Sequence, residues 1–169
     1  MKQIVSTDSA PKAIGPYSQA VVHNGIAYLS GQIAIDPATN TLIDGDISAQ
    51  TERVLKNIEA VLTAAGASLD SALKVTVFLK DMANFPKMNE VYARYFGANP
   101  PARSTVEAAR LPRDVEVEID VIAAVSRLLR QTREKSQALQ IFLQGARRDA
   151  PHHLSLAHNL RCQDAAAGA

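Results

Sequence analysis

The stretch PPARSTVEAARLPRDVEVEIDVIAA, residues 100–124, decides the fold. In its second half Val115, Val117, Ile119 and Val121 fall on one side of an extended chain while Glu116, Glu118 and Asp120 fall on the other. Strand side chains alternate with period two, so this is a strand with one buried and one polar face. The first half reads as a loop at Pro100-Pro101 followed by a strand carrying Arg103, and Leu111-Pro112-Arg113-Asp114 reads as a tight turn. The two strands are expected to form a hairpin that sets the Arg103 guanidinium near Glu118. Such a pair is either a plain cross-strand ion pair or a binding fork beside a proton-handling acid, and the stretch alone leaves both open.

Working outward, Phe85, Met88, Val91, Tyr92, Tyr95 and Phe96 repeat at helical spacing after Asn84, a candidate cap. Asn89 sits off that apolar stripe and is free for another task. Leu73 to Lys80 alternates as a strand. Before it, Val54, Leu55, Ile58, Val61, Leu62 and Ala65 mark a core-packing helix, with Asp46 or Ser48 to begin it and Gly66 to end it. Gln19–His23 and Ile26–Ile35 flank Asn24-Gly25, a pair suited to a type I′ turn with positive φ at both central positions. Gly31, inside the second of these strands, implies either a bulge or something approaching the backbone closely. Gln3–Thr7 is a short strand, and Pro11, Gly15 and Pro16 make a turn from which Tyr17 emerges. The order β-β-β-α-β-α-β-β describes an α+β sandwich, one mixed sheet with two helices on one face. The apolar residues left on the other face call for an oligomer.

The 169 residues suit one domain with an appendage. There is no apolar run of membrane-spanning length, the N-terminus lacks the apolar core of a signal peptide, and Cys162 is the single cysteine. A cytoplasmic location is therefore expected. Residues 1–126 carry 11 Lys and Arg against 14 Asp and Glu, whereas residues 127–169 carry 7 against 3, so the net charge of +1 conceals two unlike parts.

AIGPYSQAV (13–21), YLSGQIAIDP (28–37), QTERVLKNIEAVLTAAG (50–66), VTVFLKDMANFPKMNEVYARYF (75–96) and PARSTVEAARLPRDVEVEIDVIA (101–123) together resemble, in order, the RidA family of reactive-intermediate (imine) deaminases, some of which carry the label endoribonuclease L-PSP. The resemblance runs to about residue 126. It implies a chorismate-mutase-like fold assembled as a homotrimer with active sites in inter-subunit clefts. The activity it implies is hydrolysis of 2-imino and 2-enamino acids, such as 2-aminoacrylate and 2-aminocrotonate, to 2-oxo acids and ammonia, without a cofactor. Carried over residue by residue, Arg103 would hold the substrate carboxylate and Glu118 would position and activate water. Tyr17, Ser30, Gly31 and Asn89 would line the pocket. Many members have cysteine where this chain has Thr105, which would offer its backbone carbonyl to the water, with its hydroxyl as a further contact.

The residue chemistry is compatible with those roles. A guanidinium matches a carboxylate in two parallel hydrogen bonds, and an acid with a pKa brought toward neutrality can pass protons during addition to C=N. No CxxC, HExxH, GxGxxG or P-loop pattern is present, and His23 has no ligand-spaced partner, so neither a metal nor a cofactor is expected.

Two other function classes remain open: a small-metabolite or partner-binding protein that kept the cleft without turnover, and an RNA-acting protein. Chorismate mutase chemistry would need several cations around a dicarboxylate, and one well-placed arginine is found. Residues 127–169 read as an extension of unassigned function, amphipathic through about Gly145, interrupted at Pro151 and poorly ordered. Its His152, His153, His158 and Cys162 match no established metal spacing, and its basic residues lack the interleaved aromatics of a nucleic-acid surface.

Overall fold

The computed structural model describes residues 1–97 and 99–126. In chain order the elements are β1 (Gln3–Val5), β2 (Ala20–His23), β3 (Ile26–Leu29), β4 (Ile35–Asp36), β5 (Thr41–Leu42), α1 (Ile47–Ala65), β6 (Ala72–Leu79), α2 (Phe85–Phe96), β7 (Ala102–Glu107) and β8 (Val117–Ala124). Six strands form one mixed sheet in the order β1-β2-β3-β8-β6-β7, and β4 pairs with β5 in a separate two-stranded ribbon. The α+β architecture read from the sequence is the one observed.

Local chemistry accounts for most boundaries. Asn24 and Gly25 both take positive φ, 50° and 81°, joining His23 to Ile26 in the tight antiparallel turn that their types favour. Asp46 caps α1, its Oδ1 accepting from the backbone N–H groups of Ser48 and Ala49 at 3.1 Å. Gly66 ends that helix at φ 80°, a left-handed conformation that costs glycine nothing. Asn84 precedes α2 but makes no side-chain cap; its Nδ2 instead donates to Glu116 Oε2 at 3.3 Å. The long strand read over 26–35 stops at Leu29, and Ile35 belongs to the β4–β5 ribbon. Asn57 anchors that ribbon from α1, its Nδ2 donating to the carbonyls of Ile33 and Ile35 at 3.3 and 2.9 Å.

The core lies between the helices and one sheet face. Val54, Leu55, Ile58, Val61 and Leu62 of α1 are fully buried, as are Met88 of α2, Val75, Val77 and Leu79 of β6, and Val117, Ile119 and Val121 of β8. Burying one such side chain contributes roughly 1.5–3 kcal/mol. On the opposite face, the pairings Ile4↔Val21, Val21↔Tyr28 and Tyr28↔Ile122 align an apolar row across four strands. Ile4 and Tyr28 in that row are 63% and 47% exposed, which leaves apolar surface uncovered as the sequence pattern requires.

One expectation is corrected. β7 and β8 do not form a hairpin: β7 runs parallel to β6, and β6 lies between β7 and β8. A parallel pair needs a crossover, which α2 supplies between β6 and β7, while the Leu111–Asp114 turn carries the chain across β6. Arg113 and Asp114 adopt positive φ, 54° and 60°, in that turn. The consequence reaches the site. Arg103 is in register with Val75, and Val75 with Val121, whereas Glu118 is in register with Phe78. Val75 and Phe78 are an odd number of residues apart, so Arg103 and Glu118 point to opposite sheet faces and no cross-strand ion pair exists.

Candidate functional site

The candidates Tyr17, Ser30, Gly31 and Glu118 share one cavity of about 420 Å³, with Gln32 and Arg113 among its other walls. The loop leading into β2 is held by Gln19, a buried amide whose Oε1 accepts from Thr7 N–H at 2.7 Å. Its Nε2 donates to the carbonyls of Pro11 at 2.7 Å and Thr7 at 3.0 Å. These bonds fix the Pro11 wall. Tyr17 then turns back, its N–H donating to Gly15 O at 2.9 Å and its hydroxyl accepting from Ile14 N–H at 3.2 Å. The ring is left half-exposed at the cavity.

Ser30 closes the far side. Its N–H donates to Gln19 O at 3.0 Å and its Oγ to Ser18 O at 2.7 Å, so the hydroxyl proton is committed and the Oγ lone pairs remain available. Just beyond the end of β3, Gln32 and Ile119 exchange backbone hydrogen bonds at 2.8 and 3.1 Å, which lays Gly31 against Glu118. A Cβ on Gly31 would fall 2.8 Å from Glu118 Cδ and would overlap Oε1. The glycine inside a strand-like segment is therefore explained by close approach, and what approaches is a side chain of the protein itself. Glu118 is half-buried, and burial, then the Asp120 charge two residues along the same face, pushes its carboxyl above the ordinary carboxylate range. An acid whose proton is held more tightly than an ordinary carboxylate's is suited to accept and return a proton.

Asn89 and Arg103 lie together at a second cavity, of about 330 Å³, with Tyr92, Phe96, Pro100 and Pro101. The Arg103 guanidinium carbon stands 4.4 Å from the Tyr92 ring centroid and 5.5 Å from that of Phe85. No carboxylate among the described residues pairs with it, so its fork of N–H donors is open to a ligand anion. Burial pushes the Tyr92 hydroxyl up to about 12, with the Arg103 charge and the nearness of its guanidinium N–H groups to the hydroxyl pulling the other way, and the ring stays neutral. The guanidinium carbon lies over the ring, and although its N–H groups come near the buried hydroxyl oxygen, none reaches hydrogen-bond geometry there. Thr105 follows Arg103 on the same sheet face and lines neither cavity. Its Oγ1 is likewise buried without a partner.

Within one chain, then, the sequence candidates fall at two separate cavities: an acid with an aromatic and small residues at one, a cation with an amide at the other. Three contributors were not singled out from sequence. The sequence presents Gln19 only as a strand residue, and the carbonyls that converge on its amide come from the irregular loop before it, whose course no periodicity shows. Arg113 was read as part of a turn, and Tyr92 as core; its apolar spacing is real, but its service to Arg103 depends on β7 docking beside α2.

Among the described residues no helix is long and apolar enough to cross a membrane, and no group of three or more His, Cys, Asp or Glu could hold a metal. The tail candidates His152, His153, His158 and Cys162, and the helix read through Gly145, lie outside the described residues.

Residues 7–125 match the family model described as endoribonuclease L-PSP. A RutC family protein of Pyrococcus horikoshii is 56% identical over 123 residues, covering 73% of this chain and 98% of that protein. The chloroplastic Reactive Intermediate Deaminase A of Arabidopsis thaliana is 45% identical over 124 residues, covering 73% of this chain and 66% of the relative. Among solved structures, that of Escherichia coli TdcF with bound serine superposes with a TM-score of 0.70 at 42% identity, covering 73% of this chain and 99% of that one. With a family model matched over residues 7–125, relatives of this identity and the same fold in a solved structure, the chain belongs to the RidA family, whose family model bears the name endoribonuclease L-PSP.

Proposed function

We propose that the protein is a hydrolytic deaminase that converts reactive 2-imino and 2-enamino acids to 2-oxo acids and ammonia, working as a homotrimer. The observation that carries this reading is the division of the site. A cation with an open fork and an acid with a raised pKa are the two groups such a reaction needs, and the fold places them on opposite sheet faces. A second copy that sets its Arg103 cavity against the Glu118 cavity of the first brings them together. The two cavities are different surfaces, so the contact is heterologous, and it forms a ring where the rotation between copies closes; three copies is the number the family resemblance implies. The apolar row Ile4–Val21–Tyr28–Ile122 supplies surface for that assembly to bury.

In this arrangement Arg103 takes the substrate carboxylate and Asn89 lies beside it. Tyr17, Ser30 and Gly31 border the imine carbon. Glu118 accepts a proton from water as its oxygen adds to C=N, forming a carbinolamine, and returns a proton to nitrogen. The C–N bond then breaks as C=O forms and Glu118 takes the hydroxyl proton and passes it to the departing ammonia, so that iminium plus water gives 2-oxo acid plus ammonium. Thr105 contributes through its backbone carbonyl. The domain responsible is residues 1–126, with 127–169 as an appendage. A relative named Reactive Intermediate Deaminase A, and another solved with the small amino acid serine, support this reading.

The test is release of 2-oxo acid from enamine generated in situ by a serine or threonine dehydratase, with Arg103→Ala alongside. Acceleration by the protein and not by the variant is expected. No acceleration over background, together with binding of a 2-oxo acid, would make it a metabolite-binding protein instead; salt-dependent RNA binding with RNA cleavage would favour the RNA-acting reading.

A further inference from the structure

We infer that Tyr92, with Phe85 in support, is the positioning residue for Arg103: a neutral aromatic platform holds the guanidinium in place of the carboxylate that ordinarily would. This rests on the carboxylate-binding role proposed above for Arg103. An arginine that must bind an anion has to be fixed, since a long side chain otherwise loses rotamer freedom on binding. Fixing it with Asp or Glu would occupy the fork and neutralise the charge. An aromatic face attracts the cation without using an N–H, because the ring quadrupole is negative above its plane.

The structure meets each condition. The guanidinium carbon is 4.4 Å from the Tyr92 centroid and 5.5 Å from that of Phe85, both within cation–π range. Tyr92 is itself locked: its ring is 5% exposed and stacks on Phe96 with centroids 4.3 Å apart and planes 29° apart. Tyr92 also stays neutral at any working pH, since its hydroxyl is raised to about 12. All three aromatics and Asn89 are on α2, so one helix presents both the platform and a second polar group of the same cavity.

The test compares Tyr92→Phe and Tyr92→Leu, with Phe85→Leu as a milder variant because Phe85 is only half-buried. Binding of 2-oxobutanoate and of its uncharged amide is measured, with KM and kcat for the enamine substrate and the Arg103 Nε–H NMR signal. Tyr92→Phe is expected to stay within about twofold of wild type, because the ring face is retained. Tyr92→Leu is expected to weaken 2-oxobutanoate binding and raise KM by about 2- to 30-fold, the range of a cation–π contact. The amide's binding and kcat should change little. Its Arg103 Nε–H signal should lose the ring-current shift that wild type and Tyr92→Phe display, and Phe85→Leu should lose part of it. Equal loss for Tyr92→Phe and Tyr92→Leu, or a shift unchanged in folded Tyr92→Leu, overturns the inference. If Tyr92→Leu does not fold, an unaltered signal and carboxylate affinity in Phe85→Leu overturn it. A wild type that neither turns over enamine nor binds 2-oxobutanoate refutes the proposed function, while the NMR comparison still decides whether Tyr92 holds Arg103.

Discussion

Replacing Gly31 by alanine should separate catalysis from stability more cleanly than any change at Arg103 or Glu118. The new Cβ would stand 2.8 Å from Glu118 Cδ and 3.1 Å from Cγ, and would overlap Oε1. Carbon atoms rest at about 3.5–4.0 Å, so the carboxyl group must retreat by about 1 Å. A displacement of about 1 Å at a reacting group can cost 10²-fold, equivalent to about 2.7 kcal/mol of transition-state stabilisation. The fold should barely register the change. Gly31 is not among the residues with positive φ, so alanine can adopt its backbone conformation. That exchange stabilises by about 0.4–1 kcal/mol through the unfolded chain, against about 0.5–1.5 kcal/mol for an off-rotamer carboxylate. The assay pairs kcat/KM for in situ enamine with denaturant unfolding. The expected outcome is an activity loss of about 100-fold with stability within about 1 kcal/mol of wild type. Adding Glu118→Asp, which retracts the carboxyl by one methylene, should cost less in the Gly31→Ala background than in wild type. A folded Gly31→Ala protein with kcat/KM within threefold of wild type, to be set against the roughly 100-fold loss, would refute the placement of Glu118 as the water-handling group.

Three further outcomes follow from the same geometry. Glu118 has a raised pKa, so the folded chain holds its proton more tightly than the unfolded chain does; wild type loses stability as pH rises through the two values. Glu118→Gln should therefore be at least as stable as wild type at neutral pH, with the difference vanishing in acid, while wild-type kcat/KM rises with pH through the raised pKa and the variant's activity is abolished; parallel melting curves against pH would count against the assignment. Thr105→Val removes a buried hydroxyl without a partner and should raise stability by about 1 kcal/mol; with the role placed on the backbone carbonyl, kcat/KM should hold within about a factor of a few, and a deep loss would move the role to the hydroxyl. Asn57→Ala leaves the Ile33 and Ile35 carbonyls without their donor and should cost about 2 kcal/mol in urea unfolding; an unchanged midpoint would show that water replaces the amide.

Much of the fold was legible because its signals are local. Asn24-Gly25, the Asp46 cap, the Gly66 stop and the alternation of β8 each depend on a few neighbouring residues, and each appears as read. The hairpin between Arg103 and Glu118 was misread because a turn flanked by two strands looks the same whether they pair or straddle a third. Only the insertion of β6, through its parallel pairing with β7, decides between those cases. Asn84 was read as a cap from its position, but Glu116, brought close by the fold, takes its side chain.

The candidate site divides in the same way. Gly31 announced close approach because a residue without a Cβ is anomalous in a strand, yet which group approached depended on the Gln32↔Ile119 bridge. By itself the sequence determined both long helices, most strands of the main sheet, the family and the chemical types of the candidate site residues, because these follow from short-range periodicity and from side-chain identity. Tertiary structure alone decided that Arg103 rests on Tyr92, that burial beside Asp120 raises Glu118, and that the cation and the acid occupy opposite faces of one sheet. Those depend on strand order and desolvation, which arise only when distant segments are packed together.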